Sequence, residues 1–230
     1  MKHEKRLIVA LDVSSAKEAA RLARLLAGAV GHFKIGSELF TSEGPRVVEA
    51  VREAGGEVFL DLKFHDIPNT VAAAVREASR LGVFMMNVHA LGGRQMMEAA
   101  RLALDKARRR PILVAVTVLT SMKEEDLHAI GIPKKTNEAV LGLARLVRES
   151  GLDGVVCSGE EARMVRRSLG KDFVIVTPGI RPDWASAGDQ ARITTPGEAF
   201  RNGADFIVVG RPITQAKDPR EAAQRVLSEI

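Results

Sequence analysis

One cysteine, one tryptophan and no tyrosine occur in 230 residues. A lone thiol, Cys157, forms no internal disulfide, so a reducing, cytoplasmic location is expected, and the residue reads as a small core side chain. Long apolar runs are also missing. The longest, Ile112–Leu119, is broken by Thr117 and is too short to cross a bilayer. The charged start, Met1 to Arg6, runs into only Leu7–Ala10, too few residues for a signal core, so no membrane attachment is expected. Aromatics make up 4%, and no RNP-like or zinc-finger pattern is present. The formal charge of +5 is therefore read as a field suited to small anions, not as a nucleic-acid footprint. Its densest run, Arg108-Arg109-Arg110, is expected to close a helix, where cations complement the carbonyl end of the dipole. Five scattered histidines lack metal-ligand spacing, so no metal site is expected; His65 and His89 read as ordinary polar residues.

What is present is an alternation. Short apolar, β-branched runs stand at 7–12, 33–36, 58–63, 83–89, 112–120, 154–158, 173–177 and 206–210, separated by segments with helical spacing such as Leu22/Leu25/Leu26/Ala29. Ser15…Glu18, Ser158…Glu161, Thr195…Glu198 and Asp218…Glu221 each pair a cap residue with a carboxylate three positions on. Pro196 and Pro219 fall where a first helical residue needs no N–H. Gly55, Gly82, Gly151, Gly170 and Gly203 fall where helices should stop. Eight strand–helix units predict a (β/α)8 barrel (TIM barrel) of the α/β class, a single domain over 1–230. A doubly wound open sheet is the rival; no Gly-rich turn after the first strand supports it.

Barrels of this kind carry their chemistry at the C-terminal ends of strands. There the sequence puts Asp12, Lys34, Asp61 and Lys63. Alternation along Val58–Lys63 places Val58, Leu60 and Leu62 on one face and Phe59, Asp61 and Lys63 on the other. A carboxylate and an ammonium side by side are costly to desolvate unless networked, and an isolated pair would read as structural. Their convergence with Asp12 and Lys34 argues for a charged substrate. Lys63 between Asp61 and Asp66 argues against a glycosidase, whose acid needs a raised pKa.

The segment Asp61-Leu62-Lys63-Phe64-His65-Asp66-Ile67-Pro68-Asn69-Thr70 resembles the D-x-K-x-x-D-I-P-N-T signature of the orotidine 5′-phosphate decarboxylase family. The likeness extends to Ala10-Leu11-Asp12, Phe33-Lys34-Ile35-Gly36, Leu119-Thr120-Ser121-Met122, Val176-Thr177-Pro178-Gly179-Ile180-Arg181 and Val209-Gly210-Arg211-Pro212-Ile213. It implies a cofactor-free decarboxylation to UMP with Lys63 protonating C6. Asp61 would stand near the departing carboxylate, with Lys34 and Asp66 completing an alternating charge array. Asp12 and Lys34 would meet ribose hydroxyls, and Thr120 and Ser121 the pyrimidine amide edge. The phosphate would lie by Gly179, Gly210 and Arg211. A lid running from Pro178 through Arg181 to about Ala191 would let Gln190 bridge phosphate and base, with Trp184 packed inside the closed loop. The resemblance further implies a homodimer in which Asp66, Ile67 and Thr70 reach the neighbouring site. Two alternatives stay open. A magnesium-dependent sister sugar-phosphate decarboxylase or synthase shares D-x-K-x-x-D, and a basic phosphate- or RNA-binding module would show no turnover.

Overall fold

The computed structural model describes residues 6–185 and 194–230. Eight parallel strands close into a barrel in chain order, with β8 paired back to β1. They are β1 (Leu7–Ala10), β2 (His32–Gly36), β3 (Glu57–Phe64), β4 (Met85–His89), β5 (Ile112–Val116), β6 (Gly154–Val156), β7 (Val174–Thr177) and β8 (Phe206–Val209). Helices fill the connections: α1 (Ala16–Leu26), α2 (Ser37–Glu43), α3 (Arg46–Glu53), α4 (Pro68–Arg80), α5 (Gly93–Leu102), α6 (Glu124–Ala129), α7 (Thr136–Glu149), α8 (Gly159–Leu169), α9 (Pro196–Arg201), α10 (Arg211–Thr214) and α11 (Pro219–Ser228). Closure leaves the barrel sheet without an open edge.

The predicted helix starts are the observed ones. Ser15 caps α1 by accepting from the Glu18 N–H, the Ser158 N–H donates to Glu161 Oε2 at 2.8 Å, and Thr195 forms a reciprocal box with Glu198. Asp218 accepts from the N–H groups of Arg220 and Glu221. Gly170 ends α8 at φ 81°, a region that disfavours any residue with a Cβ. The Arg108–Arg110 expectation is corrected. α5 ends at Leu102, and the arginines lie in the connection before β5, where Arg109 pairs with Glu57 and Arg110 with Asp153. A turn after Leu102 leaves them no helix terminus to complement.

The two-residue period of the strands splits the core into two shells. Ile8, Phe59, Met85, Val114, Val176 and Phe206 belong to the cluster that fills the barrel. Their neighbours Leu7, Val58, Leu60, Met86 and Ile207 belong to the larger cluster between sheet and helices. Cys157 is buried in that outer shell, as are Met96 and Met97. Most ladders stop before the apolar runs do. Asp12 stands two residues past β1 and Thr120 four past β5, so both side chains belong to the barrel mouth.

Candidate active site

Lys34 alternates with Phe33 and Ile35, which lie in the outer shell, so its side chain turns into the barrel. Asp61 does the same on β3, and the register pairs Gly36 with Asp61. The four charges form one chain across the mouth. Lys34 Nζ lies 3.3 Å from Asp12 Oδ1 and 3.4 Å from Asp61 Oδ2, and Lys63 Nζ lies 2.7 Å from Asp61 Oδ1. The side chains of Lys34 and Asp61 are only 14% and 12% exposed, so their attraction is screened less than that of a surface pair. Small residues make room for this chain. A Cβ on Gly36 would lie 3.1 Å from Lys34 Nζ, and one on Gly210 would lie 3.2 Å from Asp12 Oδ2.

Simple alternation does not by itself deliver Lys63. Between Leu60 and Phe64 the strand advances four residues while β4 advances two, from Met86 to Val88. Lys63 sits in this bulge at φ 51°, the one non-glycine positive φ among the described residues. Its N–H, taken out of the ladder, donates to Asn87 Oδ1 at 2.8 Å, and Asn87 Nδ2 donates to Asp61 Oδ1 at 2.6 Å. Asn87 is fully buried. Its signal in the sequence is an amide inside Met85-Met86-Asn87-Val88, facing inward one strand from Asp61.

A cavity of about 170 Å³ opens over this floor, lined by Lys34, Asp61, Lys63, Phe59, Thr120 and Pro178 among others. Ser121 is exposed and not among its lining residues. From the same β7 and β8 ends a second cavity, of about 310 Å³, is lined by Arg181 and Arg211 with Trp184 and Gln215. Burial, and next the Arg211 charge, hold the Arg181 guanidinium below the usual arginine range. Two cations lining one hollow make it favourable for an anion.

Trp184 departs from expectation. Its Nε1 donates to Glu229 Oε1 at 3.0 Å, and the Arg225 guanidinium lies 4.3 Å from the ring centroid. The indole docks at the end of the last helix, where Arg225 supplies a cation and Glu229, just past the helix, an acceptor. Gln190 lies outside the described residues. Asp66 is also set apart: within its own chain its carboxylate accepts from the Ile67 N–H at 2.6 Å, and the alternating array is Asp12–Lys34–Asp61–Lys63. Asp66, Ile67 and Thr70 are exposed together at the start of α4, Ile67 at 66%. His89 stacks on His65 at 5.3 Å. Burial, then the charges of His65 and Lys63, push its pKa down to about 4, so near neutrality it adds no charge to the mouth. Among the described residues no three His, Cys, Asp or Glu side chains converge as a metal-ligand group, and no helix is long and apolar enough to cross a membrane.

Comparison with known proteins gives a consistent result. A relative from Syntrophotalea carbinolica named orotidine 5′-phosphate decarboxylase is 54% identical, with 98% of this chain and 95% of the relative covered. One of the same name from Teredinibacter turnerae is 53% identical, with 97% of each covered. The crystal structure of orotidine 5′-phosphate decarboxylase from Lactobacillus acidophilus superposes with a TM-score of 0.86 at 38% identity, covering 98% of both chains. The family model described as orotidine 5′-phosphate decarboxylase / HUMPS matches residues 5–226. With the eight-stranded barrel and the charged mouth in place, the chain belongs to the orotidine 5′-phosphate decarboxylase / HUMPS family.

Proposed function

We propose that the chain decarboxylates orotidine 5′-phosphate to UMP and CO2 without a cofactor, on one catalytic domain spanning 1–230. The observation that carries this reading is the alternating Asp12–Lys34–Asp61–Lys63 chain beneath a small, partly apolar cavity. Breaking the C6–carboxylate bond leaves an electron pair on a vinylic carbon with no adjacent carbonyl to accept it. An ammonium held at that carbon offsets the charge as it develops and then delivers its proton to C6. Lysine suits the task because a guanidinium does not give up its proton in proteins. Lys63 takes that role, and solvent reprotonates it after each turnover. Asp61 keeps Lys63 aimed and stands near the departing carboxylate. Asp12 and Lys34 receive ribose hydroxyls, Thr120 and Pro178 flank the pyrimidine, and Ser121 and Gln190 complete its contacts as the segment after Pro178 closes.

The phosphate end goes to Arg181 and Arg211, with Gly210 leaving the approach open. Binding energy gathered there organises the remote reacting carbon. Arg211→Ala is expected to raise KM at least about tenfold while changing kcat less, since a charge-assisted phosphate contact contributes roughly 1.5–3 kcal/mol. Steady-state kinetics check this; an unchanged KM would put the phosphate elsewhere.

The exposed Asp66, Ile67 and Thr70 support a homodimer in which each chain offers these residues to its neighbour's site. Light scattering is expected to give twice the 24.8 kDa of one chain; a monomer at working concentration removes this part of the reading. The buried lone cysteine and the phosphorylated substrate fit a cytoplasmic enzyme.

The decisive assay follows orotidine 5′-phosphate absorbance with purified protein, with and without a chelator. Turnover indifferent to chelator is expected. Activity lost to chelation, or none on this substrate, would favour the metal-dependent sister chemistry instead.

A further inference from the structure

We infer that Asn87 is a positioning residue for the decarboxylation, holding Lys63 and Asp61 in register through one amide. The inference rests on the reading of Lys63 above. A backbone N–H displaced from a ladder must find another acceptor when buried, and here it finds Asn87 Oδ1 at 2.8 Å. That bond fixes the amide's orientation, because the oxygen must face the donor. Nδ2 is thereby turned to Asp61 Oδ1 at 2.6 Å, the same oxygen that receives Lys63 Nζ at 2.7 Å. One planar group thus sets both the left-handed backbone of Lys63 and the carboxylate that aims its ammonium. Asp would place a second carboxylate beside Asp61, and Leu offers neither a donor nor an acceptor.

The test measures kcat and, separately, UMP affinity in Asn87→Ala and in the near-isosteric Asn87→Leu. Having two variants guards against a cavity that impairs folding in one of them. The expected result is a kcat lowered at least thirtyfold, UMP affinity within threefold of the parent, and a melting temperature that still reports a folded barrel. Unchanged kcat in a folded variant, or UMP affinity falling in step with kcat, would overturn the assignment. Failure of the decarboxylase reading is distinguishable, since the parent protein would then show no turnover at all.

A separate observation concerns the opposite end of the barrel, and the geometry points to a site for oligophosphate there. The connections into β3, β4 and β5 enclose a groove of about 670 Å³ lined by Arg52, Arg76, Arg80, Lys106, Arg108 and Arg109, with no carboxylate among the lining residues. Two carboxylates pair with the lining cations: Glu77 with Arg80 and Arg76, and Glu57 with Arg109. Six cations thus line the groove against these two paired carboxylates. In sequence these residues are spread over three segments; the fold gathers them. Helix dipoles account for Arg52 and Arg80 in the last turns of α3 and α4, but Lys106 and Arg108 stand beyond any helix. The glycine at 82 keeps the groove open, because a Cβ there would come within 3.0 Å of the Arg52 guanidinium. No aromatic side chain lines it, so nothing would stack on a base. The ligand is read by its phosphates: inorganic oligophosphate or the tail of a nucleoside triphosphate.

Calorimetry with UMP saturating the barrel mouth tests this with orthophosphate, tripolyphosphate, ATP and a short single-stranded RNA. Tripolyphosphate and ATP are expected to bind at least tenfold tighter than orthophosphate, whichever of the two leads identifying the source. The Arg76→Ala/Arg108→Ala variant is expected to lose at least fivefold with turnover unchanged. Equal affinity for orthophosphate and tripolyphosphate, an unaffected variant, or tenfold tighter RNA binding would overturn the proposal.

Discussion

Lys63→Ala is expected to lower kcat by about ten-thousand-fold or more while UMP still binds. Two separate contributions vanish together: electrostatic stabilisation of charge at C6, worth roughly 10²–10³ in rate, and general-acid delivery of the proton, worth roughly 10²–10⁴. Binding survives because the groups proposed to hold the phosphate and ribose belong to other strands, at Arg181, Arg211, Asp12 and Lys34. Single-turnover kinetics beside UMP calorimetry would decide it, and near-parental kcat in the variant would discard Lys63 as the proton donor.

Asp61→Asn is expected to damage stability and rate at once. In the parent, Asp61 receives Lys34, Lys63 and Asn87 within 3.4 Å. A neutral amide leaves two ammonium groups facing each other without their shared counter-charge. Breaking a buried pair costs about 3–5 kcal/mol; the 38% exposure of the Lys63 side chain lowers this to roughly 2–3 kcal/mol. Turnover is expected to fall at least about a hundredfold because the proton donor loses its aim. Denaturant unfolding and kcat are the two measurements. A variant as stable and as fast as the parent would make the charge chain ornamental.

Much of this architecture is legible in the amino-acid sequence because its causes are local. Caps such as Ser158 with Glu161 act over three residues, and the alternation of Val58 to Asp61 follows from pleat alone. Parallel strands buried on both faces produce the apolar runs that mark all eight. The charged mouth is legible too, since strand ends that should be apolar carry Asp12, Lys34 and Asp61 instead. What stays hidden depends on neighbours far along the chain. The bulge at 60–64 is a mismatch between two strands, and no composition signals a lysine at φ 51°. Asn87 acquires meaning only when β4 lies beside β3. Trp184 finds Glu229 across 45 residues, and the basic groove needs three connections brought to one end.

Ring closure between β8 and β1 has a consequence for how ligand and scaffold depend on each other. The groups proposed for the nucleotide's phosphate follow β7 and β8, while those proposed for its sugar and reacting carbon follow β1, β2 and β3. The earliest and latest stretches of the chain thus meet across that seam, where α10 also packs on β1 and α11 on α1. A bound nucleotide becomes a clasp over it, so amide exchange along Leu7–Ala10 and Phe206–Val209 should slow when UMP is added, coupling occupancy to the integrity of the whole ring.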